Sequence, residues 1–403
     1  MRILQINAVY EYSSTGRTTA ELHQYLQSQG HESFVAANNV PRTEGSIIKI
    51  GDALDHRLHS LLSHLTGKQG YYSYFATKKL LKQVSRINPD VVHLRVLHSN
   101  SINIPLLLSY LGKNNIPTVV TLHDCWFFTG HCCYFTDAKC DHWKSGCGKC
   151  PDLRNWNSSW FFDNTRGNIQ DKKRLFSRIN NLAIIGVSDW VTGFIKDSIL
   201  KDAKVVKRIY NWIDLERFKP TESEIRKRFG LENDFVVLGV AQNWGIQKGI
   251  LDVKEVASRM SECKFLLVGN VPEQYYPLPD NVIVAGVTSS VQELVNYYSC
   301  ADVFFNPSTR ETFGKVTVEA LSCGTPVVAY NLTATPELVK SSCGFITEYK
   351  DYEAIISAIG TIKENGKSKY SASCICFAKE NFAKEKLMND YIDLYKGIVD
   401  ETR

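Results

Sequence analysis

Short runs rich in β-branched residues alternate along the chain with longer stretches whose apolar residues recur every three or four positions. RILQINAV (2–9) is followed by the helical pattern TTAELHQYLQSQG (18–30) and by SFVAAN (33–38). DVVHL (90–94), the helix-like IPLLLSYLGKNN (104–115), TVVTLHD (118–124) and LAIIGVS (182–188) continue the series. A second series opens after residue 220. FVVLGVA (235–241) leads into a helical stretch ending near Glu262, and KFLLVG (264–269), NVIVAG (281–286), ADVFFNP (301–307) and TPVVAY (325–330) follow. This order predicts parallel strands with helices on both faces. The polar RIYNWIDLERFKPTES (208–223) reads as a linker, and KENFAKEKLMNDYIDLYKGIV (379–399) as a closing amphipathic helix.

The expected fold is therefore α/β, with two Rossmann-like doubly wound domains facing across a cleft and a ligand at the carboxyl ends of their strands. The boundaries fall at 1–207, 208–378 and a C-terminal helix, 379–403, packing back towards the first domain. A length of 403 residues suits two cores. A net charge of +5 is only mildly basic and does not call for nucleic acid. No apolar run approaches the roughly 20 residues that span a bilayer. MRILQINAVYEY lacks the features of a signal peptide, so a cytoplasmic chain is expected. Its twelve cysteines then read as thiols or metal ligands before disulfides. No G-x-G-x-x-G follows a strand, which disfavours a nicotinamide-dependent oxidoreductase.

The chemistry concentrates in TRETFGKVTVEALSCGTPVV (309–328). Glu311 sits on a loop after a strand, and Glu319 lies in a helix that stops at Gly324. Between them, the backbone amides of Phe313, Gly314, Lys315 and Val316 open a helix, where phosphate is readily accepted. Gly314 lets a ligand approach closely. A carboxylate is a good acceptor for paired hydroxyls, so the arrangement suits a diphosphate with a hydroxylated ring at each end. Nucleotide-sugars have that form.

DVFFNPSTRETFGKVTVEALSCGTPVVAYN closely resembles the donor-binding segment of the retaining GT-B glycosyltransferases of family 4, whose E-x₇-E motif falls on Glu311 and Glu319. The resemblance implies that Glu311 meets the donor sugar and Glu319 the nucleotide ribose. VAQNWGIQKGILDV (240–253) is similar to the family's second phosphate site. Lys248 and Gly249 match it, while Asn243 stands where an arginine is usual. The backbone near Val287 is the implied contact for the base, which leaves UDP- and GDP-sugars equally open. In the first half, Ser14-Thr15-Gly16-Arg17 falls on the first strand–helix turn, with Gly16 the matching residue near donor and acceptor. His123, beside Asp124 at a strand's end, matches a histidine near the transferring centre.

The resemblance implies a retaining glycosyltransferase acting on a glycan acceptor, lipid-linked in its branch, for O-antigen, capsule or exopolysaccharide. Same-face substitution is expected, with Lys248 and the loop amides stabilising the departing diphosphate and no cofactor required. The alternatives are a sugar-nucleotide epimerase and a non-catalytic partner protein that binds sugar-nucleotide or glycan.

HCCYFTDAKCDHWKSGCGKC (131–150) lies within a cysteine-rich loop, 125–151. Cys132, Cys140, Cys147 and Cys150 have spacings that suit a tetrahedral structural zinc; disulfides and plain buried thiols are the alternatives. Similar insertions in a bacterial branch of the family favour Cys132 over Cys133. Two basic amphipathic segments, 54–69 and 74–87, fit either a peripheral contact at the inner face of the plasma membrane or ordinary sheet-covering helices.

Overall fold

The computed structural model describes residues 1–43, 45–155 and 158–400. They form two compact units: Met1–Ile209 with the chain from Met388 onward, and Tyr210–Leu387. The expected breaks at 207/208 and 378/379 thus move to 209/210 and 387/388. Positions 401–403 of the expected last helix lie outside the described residues.

The first unit runs β1 (Arg2–Val9), α1 (Ser13–Ser28), β2 (Glu32–Asn39), β3 (Ile47–Lys49), α2 (Ala53–Thr66), α3 (Tyr74–Ile87) and β4 (Val91–Leu94). It continues with α4 (Ile104–Lys113), β5 (Thr118–Leu122), α5 (His142–Ser145), α6 (Thr165–Phe176), β6 (Leu182–Gly186), α7 (Asp189–Gly193) and β7 (Val205–Arg208). The strands form one parallel sheet in the order β3-β2-β1-β4-β5-β6-β7. Ile3, Leu4 and Ile6 of β1 are fully buried, as a strand covered on both faces requires.

The second unit runs α8 (Ile225–Phe229), β8 (Phe235–Asn243), α9 (Ile250–Arg259), β9 (Cys263–Asn270), β10 (Val282–Gly286), α10 (Val291–Cys300) and β11 (Val303–Asn306). Then come α11 (Lys315–Ser322), β12 (Val327–Tyr330), β13 (Gly344–Thr347), α12 (Tyr352–Asn365) and α13 (Ser368–Phe382). Its sheet is parallel too, ordered β10-β9-β8-β11-β12-β13. The final helix, α14 (Lys384–Asp400), begins in the second unit and ends in the first.

Three expectations change. The edge strands β3, β7 and β13 were not anticipated; at three or four residues each they are too short to show a period. The first helix begins at Ser13 rather than Thr18, because Glu11 and Ser13 take left-handed φ values of 65° and 55° and turn the chain sharply. The closing helix is two helices. The carbonyl of Phe382 accepts from the Ile213 amide at 2.9 Å, and Ala383 turns extended and bridges Ile213. A carbonyl bonded to the linker does not continue the helical ladder.

Candidate active site

In the second sheet the strand order reverses between β8 and β11, and ligands of open α/β sheets bind outside the carboxyl ends at such a point. Two loops leave there. The loop after β8 carries Lys248, and the loop after β11 carries Glu311. Lys248 Nζ donates to Glu311 Oε1 at 2.6 Å, with the carboxylate mostly buried and the ammonium two-fifths exposed. The backbone knits the same loops together: the Thr309 amide donates to the Gln247 carbonyl at 3.0 Å. Gly249 has φ +73°, and a Cβ there would lie 2.4 Å from the Pro307 carbonyl oxygen. Only glycine allows this approach.

Gly314, with φ +90°, turns the chain into α11, so the Lys315 and Val316 amides open the helix. Phe313 is buried against Tyr210 and Phe382. Its side chain anchors the loop, and only its backbone is left for a ligand. α11 is buried on nearly every side; Val318, rather than the half-buried Val316, joins Ala320 and Leu321 in the core. Glu319 is buried as well, and one oxygen accepts from the Tyr298 hydroxyl at 3.0 Å. Asn243 is exposed at the end of β8, its carbonyl oxygen accepting from Asn270 at 3.4 Å. Its own amide nitrogen remains a donor by type. Val287, just past β10, is 68% exposed.

The first unit has its own reversal between β1 and β4. Gly16 is not on the turn: it lies in the first helical turn of α1, where a Cβ would meet Val9 and the backbone of Tyr10 and Glu11. It serves close helix–strand packing. His123 follows β5, and its Nε2 faces the guanidinium of Arg95 at 3.2 Å. Arginine only donates, so Nε2 accepts and the ring proton sits on Nδ1. Burial and the Arg95 charge lower His123 to about 3, so it is neutral. Asp124 does not pair with its neighbour; it pairs with His98 at 2.9 Å. Burial opposes charge on His98, yet Asp124 raises it well above its ordinary range.

Arg95 and Tyr298 are the residues that sequence reasoning missed. Arg95 is 1% exposed and also donates to Gln5 and Thr18. A lone arginine directly after the apolar run DVVHL was the available signal.

The sequence model for Glycosyltransferase Family 4 matches residues 15–217, and that for Glycosyl transferases group 1 matches 232–365. The chain belongs to glycosyltransferase family 4. Among relatives of this family-4 chain, a candidate colanic acid biosynthesis glycosyl transferase of Escherichia coli (strain K12), WcaC, is 23% identical over 99% of this chain and all of its own. N-acetyl-alpha-D-glucosaminyl L-malate synthase of Bacillus anthracis is 26% identical over 55% of this chain and 63% of its own. The sucrose-phosphate synthase of Thermosynechococcus elongatus superposes with a TM-score of 0.73 over all of both chains at 16% identity. Anabaena HepE, in complex with UDP, gives 0.67 over 98% of this chain and all of its own at 18% identity. The fold is GT-B.

Among the described residues of 123–164 in this family-4 chain, the regular elements are one-turn helices. Cys132, Cys140, Cys147 and Cys150 line one small cavity with His131, His142 and Trp143. The Gly130 amide donates to Cys147 Sγ at 3.3 Å. Four soft sulfur donors line this cavity, the donor type a structural zinc takes. Cys133 keeps other company: its sulfur, His98 and Asp124 bring their ligand atoms within 4.8 Å of one another. All twelve cysteines are free thiols.

Proposed function

We propose that this family-4 glycosyltransferase is a retaining enzyme that moves a sugar from a UDP- or GDP-sugar to a lipid-linked glycan during assembly of a bacterial surface polysaccharide. The observation that carries the reading is the Lys248–Glu311 pair at the strand reversal, directly before the first turn of α11. Glu311 accepts from the donor sugar's hydroxyls. Glu319, oriented by Tyr298, accepts from the ribose. Lys248 and the amides of residues 314–316 stabilise the charge that builds on the departing diphosphate. An acid engaged by Lys248 at 2.6 Å acts as a positioned acceptor. That favours same-face transfer, in which the leaving diphosphate takes the acceptor's proton, over a covalent glycosyl-enzyme.

His123, neutral and with its Nδ1 proton available, donates to a sugar hydroxyl rather than exchanging protons with it. The four cysteines would hold a zinc that braces residues 123–164, in which the metal supplies folding energy and no step of the transfer. The surface-polysaccharide assignment is supported by the named role of the E. coli relative.

The test is a thermal-shift comparison of UDP, GDP and ADP. A ligand at 100 times its dissociation constant adds roughly 2.7 kcal/mol. Stabilisation by one nucleotide, weakened in Glu319→Ala, fixes the donor class, and donor sugars of that base are then assayed with lipid-linked acceptors. If no nucleotide stabilises the protein and no donor is consumed, the reading fails and a non-catalytic partner protein takes its place.

A further inference from the structure

Arg95 directly follows β4, its backbone amide donating to the Ile6 carbonyl at 2.9 Å, and its side chain is buried. Its guanidinium is the meeting point of three segments at the β1–β4 reversal. Nη1 donates to Gln5 Oε1 of β1 at 3.2 Å. Nη2 donates to the Thr18 hydroxyl of α1 at 2.9 Å and to His123 Nε2 at 3.2 Å. Gln5 and Thr18 are held in turn. The Gln5 amide donates to the Thr19 carbonyl at 3.3 Å, and the Thr18 hydroxyl to the Thr15 carbonyl at 3.0 Å.

Among the described residues, no hydrogen-bond partner of this arginine is acidic, and its buried Nε has no partner. A buried charge without a bonded counter-charge is costly, and an apolar side chain of similar volume fills such a space at less cost. An apolar side chain cannot donate to an imidazole. Of the four members of the network, Gln5, Thr18 and Arg95 are buried, and only His123 is half-buried and within reach of a ligand. Its Nδ1 lies on the far side of the ring from the cation. The network thus starts in the packed end of α1 and finishes in one N–H at the carboxyl end of β5.

We propose that Arg95 is a positioning residue for the transfer: it pins the His123 proton on Nδ1, fixes the plane of the ring and polarises that N–H towards the sugar hydroxyl it meets. A cation bonded to one ring nitrogen draws density through the imidazole, and bonds in such a chain strengthen one another. The ring stays neutral and no proton changes place at this contact. A histidine without that anchor exchanges between tautomers and for part of the time presents a bare acceptor instead of a donor. The inference rests on the role given to His123 in the proposed function, yet its first test needs neither donor nor acceptor.

That test is long-range nitrogen–proton correlation NMR of the full chain labelled with nitrogen-15 at histidine, with His123→Gln identifying the signal. Near neutral pH the wild-type ring should carry its proton on Nδ1 and leave Nε2 bare. Arg95→Met should bring in the other tautomer, and Arg95→Lys, which still donates, should restore the first. A wild-type ring protonated on Nε2, or on both nitrogens, overturns the proposal even if Arg95→Met does not fold. In steady-state assays Arg95→Met should lower kcat about tenfold, as loss of the His123 contact does, with the KM for donor little changed. The double variant Arg95→Met/His123→Gln should be no slower than either single one, because a residue acting through another has no effect once that other is gone. Multiplying losses, about a hundredfold in the double variant, would give Arg95 a separate structural role and overturn the proposal. Nucleotide-induced stabilisation should be unchanged in every variant. Its absence from the wild type would sink the transferase reading, whereas a wrong tautomer with nucleotide binding intact sinks this inference alone.

Discussion

All ten histidines of the chain lie between residues 23 and 142, in the first unit, and the second unit has none. Several are held neutral by the fold. Burial lowers His23 and His59 to about 4, and burial with Arg95 lowers His123 to about 3. The site proposed in the second unit is built instead from Lys248, two carboxylates and backbone amides. One unit thus carries the side chains that ordinarily titrate near neutrality, and the other carries the charge proposed to act on the diphosphate. The contrast separates what acid does to the protein from what the donor asks of it.

The sharpest way to break this contrast is to remove its strongest charge. Lys248→Ala is expected to lower kcat/KM by about 10²–10³, the magnitude of one lost oxyanion-type donor. His123→Gln, which removes a neutral hydrogen bond, costs about tenfold. Steady-state kinetics with the identified donor rank the two, and the reverse order would make the imidazole the centre of the chemistry.

Acid sharpens it next. His23 and His59 have folded-state values below their unfolded value of about 6.5. The unfolded chain therefore binds more protons below pH 6.5, and stability is lost as pH falls from there towards 4. Each ring contributes a slope of about 1.4 kcal/mol per pH unit. Hydrogen exchange read peptide by peptide, corrected for intrinsic rates, should show the first unit losing protection and the second keeping it. His59→Gln removes one slope. Equal loss in both units would refute the division.

Smaller effects follow. Protein purified without chelator should carry one zinc by elemental analysis, and Cys147→Ser/Cys150→Ser should abolish it. Loss of about 2 kcal/mol in a unit of this size lowers the unfolding temperature by roughly 4–8 °C. Metal-free wild type would remove the zinc. Last, Asn243→Arg adds a charge near the diphosphate at an exposed position. It should tighten nucleotide binding roughly two- to fivefold by calorimetry, the range of an exposed pair. A loss of affinity would show that Asn243 holds the loop rather than the ligand.

Much of the fold was legible because its central strands are covered on both faces and read as unbroken apolar runs. The short edges β3, β7 and β13 carry too few residues for a period to register. On the donor side Glu311, Gly314 and Glu319 belong to one stretch of sequence, so their spacing could be read. Arg95 and Tyr298 act on partners 28 and 21 residues away, and that proximity exists only after the sheets form. The amphipathic α2 shows a third limit. Sequence gave it apolar and basic positions, but which face is buried depends on what packs beneath, and here that is Ser73 bonded to His59.

The helix that closes the first unit is the last part of it to leave the ribosome. His93 and Thr121 bond to the hydroxyls of Tyr395 and Tyr391, which lie 302 and 270 residues further along. The second unit, continuous from Tyr210 to Leu387, is synthesised in full before these partners exist. Domains of a nascent chain generally fold from the N-terminus onward. In this protein the earlier-born unit is the later to be complete, because two hydrogen-bond partners of its central strands are made after the whole of the second unit.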